Sequence, residues 1–110
     1  MSDEHIDKTK AAVDAAVHIP AEKKAALSAA LSKLKPALAQ ISQTHHEEAQ
    51  DIAQLIEAST HEATRPKKKP ELLKAALDKL KESAGKFESS HPELVQRVNG
   101  VATVLAEMGI

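Results

Sequence analysis

Cysteine is absent from this chain of 110 residues, the aromatic residues are reduced to one phenylalanine, and glycine occurs only three times. Without cysteine the chain has no disulfide framework, no thiolate ligand for zinc and no cysteine nucleophile. Three glycines leave no phosphate-cradling loop, and no serine or threonine lies in the Gly-rich turn that exposes a catalytic nucleophile. We therefore expect a protein that is not an enzyme, with no catalytic or cofactor-binding residues.

Long apolar runs and an excess of one charge are missing as well. No run approaches the roughly 18 apolar residues of a membrane span, and the polar start Met1–Glu4 does not resemble a signal peptide, so we expect a cytoplasmic protein. Fifteen basic residues face 16 acidic ones, so the bulk charge indicates no nucleic-acid or membrane partner. Leu, Ile, Val and Phe together number only 24, which predicts a thin core, of modest stability or shared with a partner chain.

Helix-forming residues dominate every segment between prolines, which predicts an all-α protein. The first helix has an apolar stripe of Ile6, Val13 and Val17. The pattern predicts one domain over 1–110 with N-terminal helices over 1–64, a basic linker over 65–69 and an antiparallel helical hairpin over 70–110. The four main helices are expected over 3–18, 20–62, 70–88 and 91–108, forming an elongated bundle of four helices, or five if the second helix breaks.

The second helix has large apolar residues at alternating spacings of four and three, which is typical of a helix packed lengthwise on another helix. This seam consists of Leu27, Leu31, Leu34, Leu38 and Ile41, and continues less regularly through Ile52 and Ile56. Pro36 lies inside the seam without changing its phase, so we expect a kink and not an end. A break near residue 43 stays open, since an unbroken helix would be longer than a compact domain of this size.

The linker is basic and bracketed by Pro66 and Pro70. Its charged residues are Arg65, Lys67, Lys68 and Lys69. Residues 36–64, in contrast, contain five acidic residues and no lysine or arginine. The two segments either pair, within one chain or between two copies, or are both solvated. No aromatic residue accompanies the lysines, so we expect no nucleic-acid partner.

The last helix has start and stop signals of its own. Ser90 and Glu93 fit a capping box, and Pro92 fits a first turn. At the other end, Gly109 is expected to take the left-handed conformation and let Ile110 fold back on Leu105.

The sequence Phe87-Glu88-Ser89-Ser90-His91-Pro92-Glu93-Leu94, together with the final Met108-Gly109-Ile110, resembles a family of small bacterial proteins known only as a domain of unknown function. The resemblance extends over roughly residues 55–110. It implies a small helical protein without an established activity, and no catalytic or ligand residues carry over. Phe87, Ser90, His91, Pro92, Glu93 and Gly109 are its structural signature.

Six histidines are many for a chain of this length, and His45, His46 and His61 lie in one segment with Glu47 and Glu48. Their spacing matches neither the zinc pattern His-Glu-x-x-His nor the Glu-x-x-His pairs of di-iron bundles. We interpret them as a solvated polar helix face and expect no metal ligands.

These observations favour a non-enzymatic helical protein that binds itself or another helical protein through the apolar seam, with a homodimer as the specific expectation. The alternative is an amphipathic, surface-binding or stress-related protein that coats lipid or polymer. Helices that lie on membranes usually combine an aromatic face with a cationic face, and neither is present here.

Overall fold

Five α-helices follow one another in the computed structural model, which describes the backbone of residues 2–110 and the side chains of residues 4–110. They are α1 (Ser2–Ala15), α2 (Ala21–Ser42), α3 (His46–Ala63), α4 (Pro70–Gly85) and α5 (Pro92–Gly109). Residues 2–110 contain no β-strand, so the all-α prediction is confirmed.

The expected second helix over 20–62 is divided in two by a turn at residues 43–45, the break that the sequence left open. His45 leaves the helical region, with φ −132° and ψ 61°, and its amide donates to the Ile41 carbonyl at 2.7 Å. The chain then folds back on itself. Its radius of gyration of 12.9 Å equals the roughly 13 Å of a compact domain of this length, so the molecule is compact and not elongated.

Helix α2 continues through Pro36, as the constant phase of the seam predicts. Leu34 and Leu38, on either side of the proline, are both buried, whereas Pro36 itself is exposed. The helix therefore tolerates the lost backbone hydrogen bond on its solvent side, and its buried face is uninterrupted.

Helices α2, α3, α4 and α5 form a closed ring in which each packs on the next and α5 packs on α2. Helix α1 lies outside the ring against α2 and α3, where Lys35 on α2 pairs with Asp7 at 2.9 Å. Because neighbouring helices are antiparallel, the connections lie at two ends of the bundle. We call these the turn end, with residues 43–45 and 86–91, and the linker end, with residues 16–20, 64–69 and the end of α5.

The predicted seam is the core of this one chain. At most 1% of the surface of each seam residue is exposed: Leu27, Leu31, Leu34, Leu38, Ile41, Ile52 and Ile56. The expectation that the seam binds a partner is therefore wrong for the folded chain, because α3, α4 and α5 already cover it. A partner has to bind elsewhere on the surface.

The predicted capping box at the start of α5 is not formed. Ser90 is exposed, and the residue before the helix is His91, without any hydrogen bond from a capping side chain. Its amide donates instead to the Phe87 carbonyl at 2.7 Å, so the backbone turn itself fixes the start of α5. Pro92 is the first residue of the helix, a position where its missing N–H costs nothing.

Gly109 does not end α5 in the left-handed conformation, since no described residue has a positive φ. It is buried in the last helical turn, and a Cβ there would overlap Leu73 Cδ2 and lie 3.3 Å from Ala63 Cα. Ile110 is 65% exposed and does not fold back on Leu105. Glycine is required because α5 approaches α3 and α4 too closely for a side chain.

We expect Gly109→Val to lower the free energy of unfolding by about 1–3 kcal/mol, because overpacking forces backbone shifts at Ala63. Urea denaturation followed by circular dichroism measures this loss. The matched control is Gly85→Ala at the exposed end of α4, where a Cβ meets nothing within 4 Å. That control is expected to stabilise the protein by up to about 1 kcal/mol. Equal effects at the two glycines would contradict the close approach.

Candidate functional site

The predicted site residues are not brought together in one place. Phe87, Ser90, His91, Pro92 and Glu93 lie at the turn end, and the basic linker and Gly109 lie at the linker end. The buried seam separates the two groups. The residues singled out by sequence therefore do not form a single site, and they lie at two separate ends of the bundle.

At the turn end, Phe87 is 5% exposed and contacts two histidines. The centroid of its ring lies 5.3 Å from that of His45, edge to face, and 5.9 Å from that of His91. His45 precedes α3 and His91 precedes α5, so the phenylalanine joins the two turns. Sequence reasoning missed this role of His45. The two histidines share one sequence feature, because His45 follows Ile41 by four residues and His91 follows Phe87 by four residues. In each case the histidine amide donates to the carbonyl of that apolar residue.

The histidines of the segment 45–61 differ in their surroundings. No three His, Asp or Glu side chains among the described residues are placed to hold a metal ion together. His45 packs on Phe87, whereas His46 and His61 are exposed on α3.

At the linker end, polar contacts tie the linker to the rest of the bundle. Lys68 Nζ donates to the Met108 carbonyl at the carboxyl end of α5, where the helix dipole favours a cation. Arg65 pairs with Glu62 at 2.9 Å, and His18 Nε2 donates to the Thr64 carbonyl at 2.6 Å. The linker is therefore a fixed structural element. The lysines at 67 and 69 are exposed.

The exposed large hydrophobic residues of the described chain also lie at the linker end. Val17 is 94% exposed, Ile110 is 65% exposed and Leu72 is 43% exposed. Sequence reasoning assigned Val17 to the buried stripe of the first helix. This is wrong, because α1 ends at Ala15 and Val17 lies in the following loop.

A second surface lies along one side of the bundle between α2 and α5. It contains a cleft of about 210 Å³ lined by small and polar residues: Ala26, Ala29, Ala30, Lys33, Gln96, Arg97 and Gly100. We call it the α2–α5 face. Gly100 is exposed in the interior of α5, and a Cβ there would meet nothing within 4 Å. No contact within the chain explains a glycine at this position.

A groove of about 450 Å³ lies between α1 and α3. Three of its polar side chains are bonded within the chain. The Thr9 and Thr60 hydroxyls donate to carbonyls one turn earlier in their own helices, and the Glu57 carboxylate lies 3.1 Å from His5 Nδ1.

We expect Lys68→Met to lower the free energy of unfolding by about 0.3–1 kcal/mol, because it removes the cation at the carboxyl end of α5. Thermal denaturation at low salt checks this loss. Lys67→Met is the matched control, since Lys67 is an exposed neighbour in the same linker. Equal loss in the two variants would show that net charge matters and the contact with Met108 does not.

No helix within residues 2–110 is long and apolar enough to cross a membrane. Comparison with curated proteins and with solved structures gave no significant match. A family model described as a domain of unknown function matches residues 27–110, which comprise most of α2 and all of α3, α4 and α5. The match thus extends further than the resemblance over 55–110, takes in nearly the whole four-helix ring and leaves α1 outside. The chain belongs to this family of domains of unknown function, DUF4404.

Proposed function

We propose that this protein is a non-enzymatic binding module that associates with a second copy of itself through the α2–α5 face. The observation that carries the proposal is Gly100, an exposed glycine in the interior of a helix. A glycine there costs about 1 kcal/mol relative to alanine, and nothing in the chain requires it. A second helix that approaches closely would require it, because only a residue without Cβ lets two backbones come so near.

The neighbours of Gly100 support a helical partner. Ala26 and Ala29 line the same cleft, so the surface beside the glycine is low. Arg97 lies 3.6 Å from Glu93 on its own helix, which offsets one positive charge of the face. Small residues on both sides of a contact allow two equal faces to meet, as a symmetric dimer requires.

We expect the wild-type chain to dimerise reversibly in sedimentation velocity across a concentration series. Gly100→Gln is expected to weaken dimerisation at least tenfold while keeping the fold, because the new side chain occupies the cleft and its Cβ meets nothing within 4 Å. Gly85→Gln is the matched control, since Gly85 is also exposed with open space at Cβ but lies at the turn end.

The possible results distinguish two questions: whether the chain associates with itself, and whether the α2–α5 face is the surface of contact. A wild-type chain that stays monomeric at high concentration would contradict self-association. Dimerisation that both glutamine variants reduce equally, or that Gly100→Gln leaves unchanged, would contradict the α2–α5 face. Circular dichroism of each variant establishes that the helices are intact.

A further inference from the structure

We infer that the linker end docks end-on onto an anionic lipid surface. The contact surface, which we call the linker-end patch, consists of Val17, Lys67, Lys69, Leu72 and Ile110. It is separate from the α2–α5 face, and the inference does not depend on self-association.

Exposed apolar side chains are the first observation. Val17 is 94% exposed and Ile110 is 65% exposed, which is far more than the packing of a loop or a helix end requires. Leu72, in the first turn of α4, is 43% exposed. An apolar side chain held in water loses the free energy that burial would give it, and insertion among acyl chains recovers that free energy.

Contacts within the chain bring these residues to the same end of the bundle. His18, next to Val17, donates to the carbonyl of Thr64 at the start of the linker. Gly109, next to Ile110, packs against Leu73, the neighbour of Leu72. Lys68 joins the linker to the end of α5. Three separate stretches of sequence thereby meet at the linker end.

Positive charge surrounds the apolar residues. Lys67 and Lys69 are exposed, and Lys23 lines the cleft between the α1–α2 loop and the end of α5. Glu107 lines the same cleft, and Glu71 follows the linker, so the surface is not purely basic. The three lysines at 23, 67 and 69 still outnumber these two carboxylates. An anionic partner is therefore favoured, since each basic residue near an anionic membrane attracts it.

An anionic lipid surface matches both the exposed apolar side chains and the positive charge of the patch, whereas other occupants match only one of these two properties. A second copy that met this patch symmetrically would set Lys67 and Lys69 against the same lysines. Elsewhere, the described residues of a second copy expose no other large hydrophobic residue that could cover Val17 and Ile110. Nucleic acid supplies negative charge but no apolar layer, and the patch has no aromatic residue to stack on bases.

The geometry also differs from that of an amphipathic helix lying on a membrane. The contact comes from a loop, the first turn of α4 and the residue that follows α5, so the bundle is already folded before it binds. Binding is therefore expected to leave the helical content unchanged, in contrast to helices that form on contact with lipid.

A tryptophan reporter tests the location of the contact, because the chain contains no tryptophan or tyrosine. Val17→Trp places a fluorophore in the patch, and Ser89→Trp places one at the exposed turn end. With vesicles of 30% phosphatidylglycerol in phosphatidylcholine at low salt, we expect a blue shift for Val17→Trp only. Vesicles of pure phosphatidylcholine are expected to shift neither spectrum.

Vesicle co-sedimentation of the same chain without the reporter tests the charge. The double variant Lys67→Gln/Lys69→Gln is expected to bind anionic vesicles about 30-fold more weakly, since each lysine near the surface contributes roughly fivefold. Lys79→Gln/Lys81→Gln is the matched control. Those exposed lysines lie about 14–17 Å along α4. With the co-sedimentation at about 0.1 M salt they lie beyond the screening length of about 10 Å, so a loss below about twofold is expected.

Apolar insertion has a test of its own. Val17→Asn/Ile110→Asn is expected to weaken binding at least tenfold, and the exposure of both residues keeps the fold intact. Equal binding to neutral vesicles, an equal loss in the Lys79/Lys81 control, or a blue shift for Ser89→Trp would overturn the inference. Binding of soluble polyglutamate or single-stranded DNA, with no blue shift on vesicles, would assign the lysines to a charged macromolecule and also overturn it.

Discussion

Burial of the α2 seam by the chain's own helices is the interaction on which the rest of the structure depends. Leu27, Leu31, Leu34 and Leu38 are removed from water because α3, α4 and α5 close into a ring with α2. With few large apolar residues in the chain, each has to be covered almost completely. The small core is thus adequate for one folded chain, and the exposed large hydrophobic residues among residues 4–110 lie at the linker end.

Both ends of the ring have specific contacts that hold the helices in register. At the turn end, Phe87 packs between His45 and His91 and so joins the two turns. At the linker end, Gly109 permits the close approach of α5, and Lys68 neutralises its carboxyl end. Phe87, His91 and Gly109 of the family-like signature therefore act as contacts between chain segments, whereas the sequence had indicated a stop signal at Gly109.

The surface left outside the core determines what the protein can bind. Two regions differ from an ordinary solvated surface: the small-residue α2–α5 face around Gly100, and the linker end with Val17 and Ile110 beside lysines. The first fits a closely approaching helix, and the second fits a layer that is both apolar and anionic. Neither offers a reactive group, so the functions proposed for them are binding functions.

Periodicity and prolines in the sequence determined the helical class, the seam, the passage of α2 through Pro36 and the linker before Pro70, because these depend on neighbours within a few turns. The break at His45, the packing role of Gly109 and the exposure of Val17 were decided only by tertiary structure. Each depends on which distant helix comes close: the fold-back at residues 43–45 lets α3 cover the seam, and α3 and α4 crowd Gly109. Local sequence patterns contain no information about such distances.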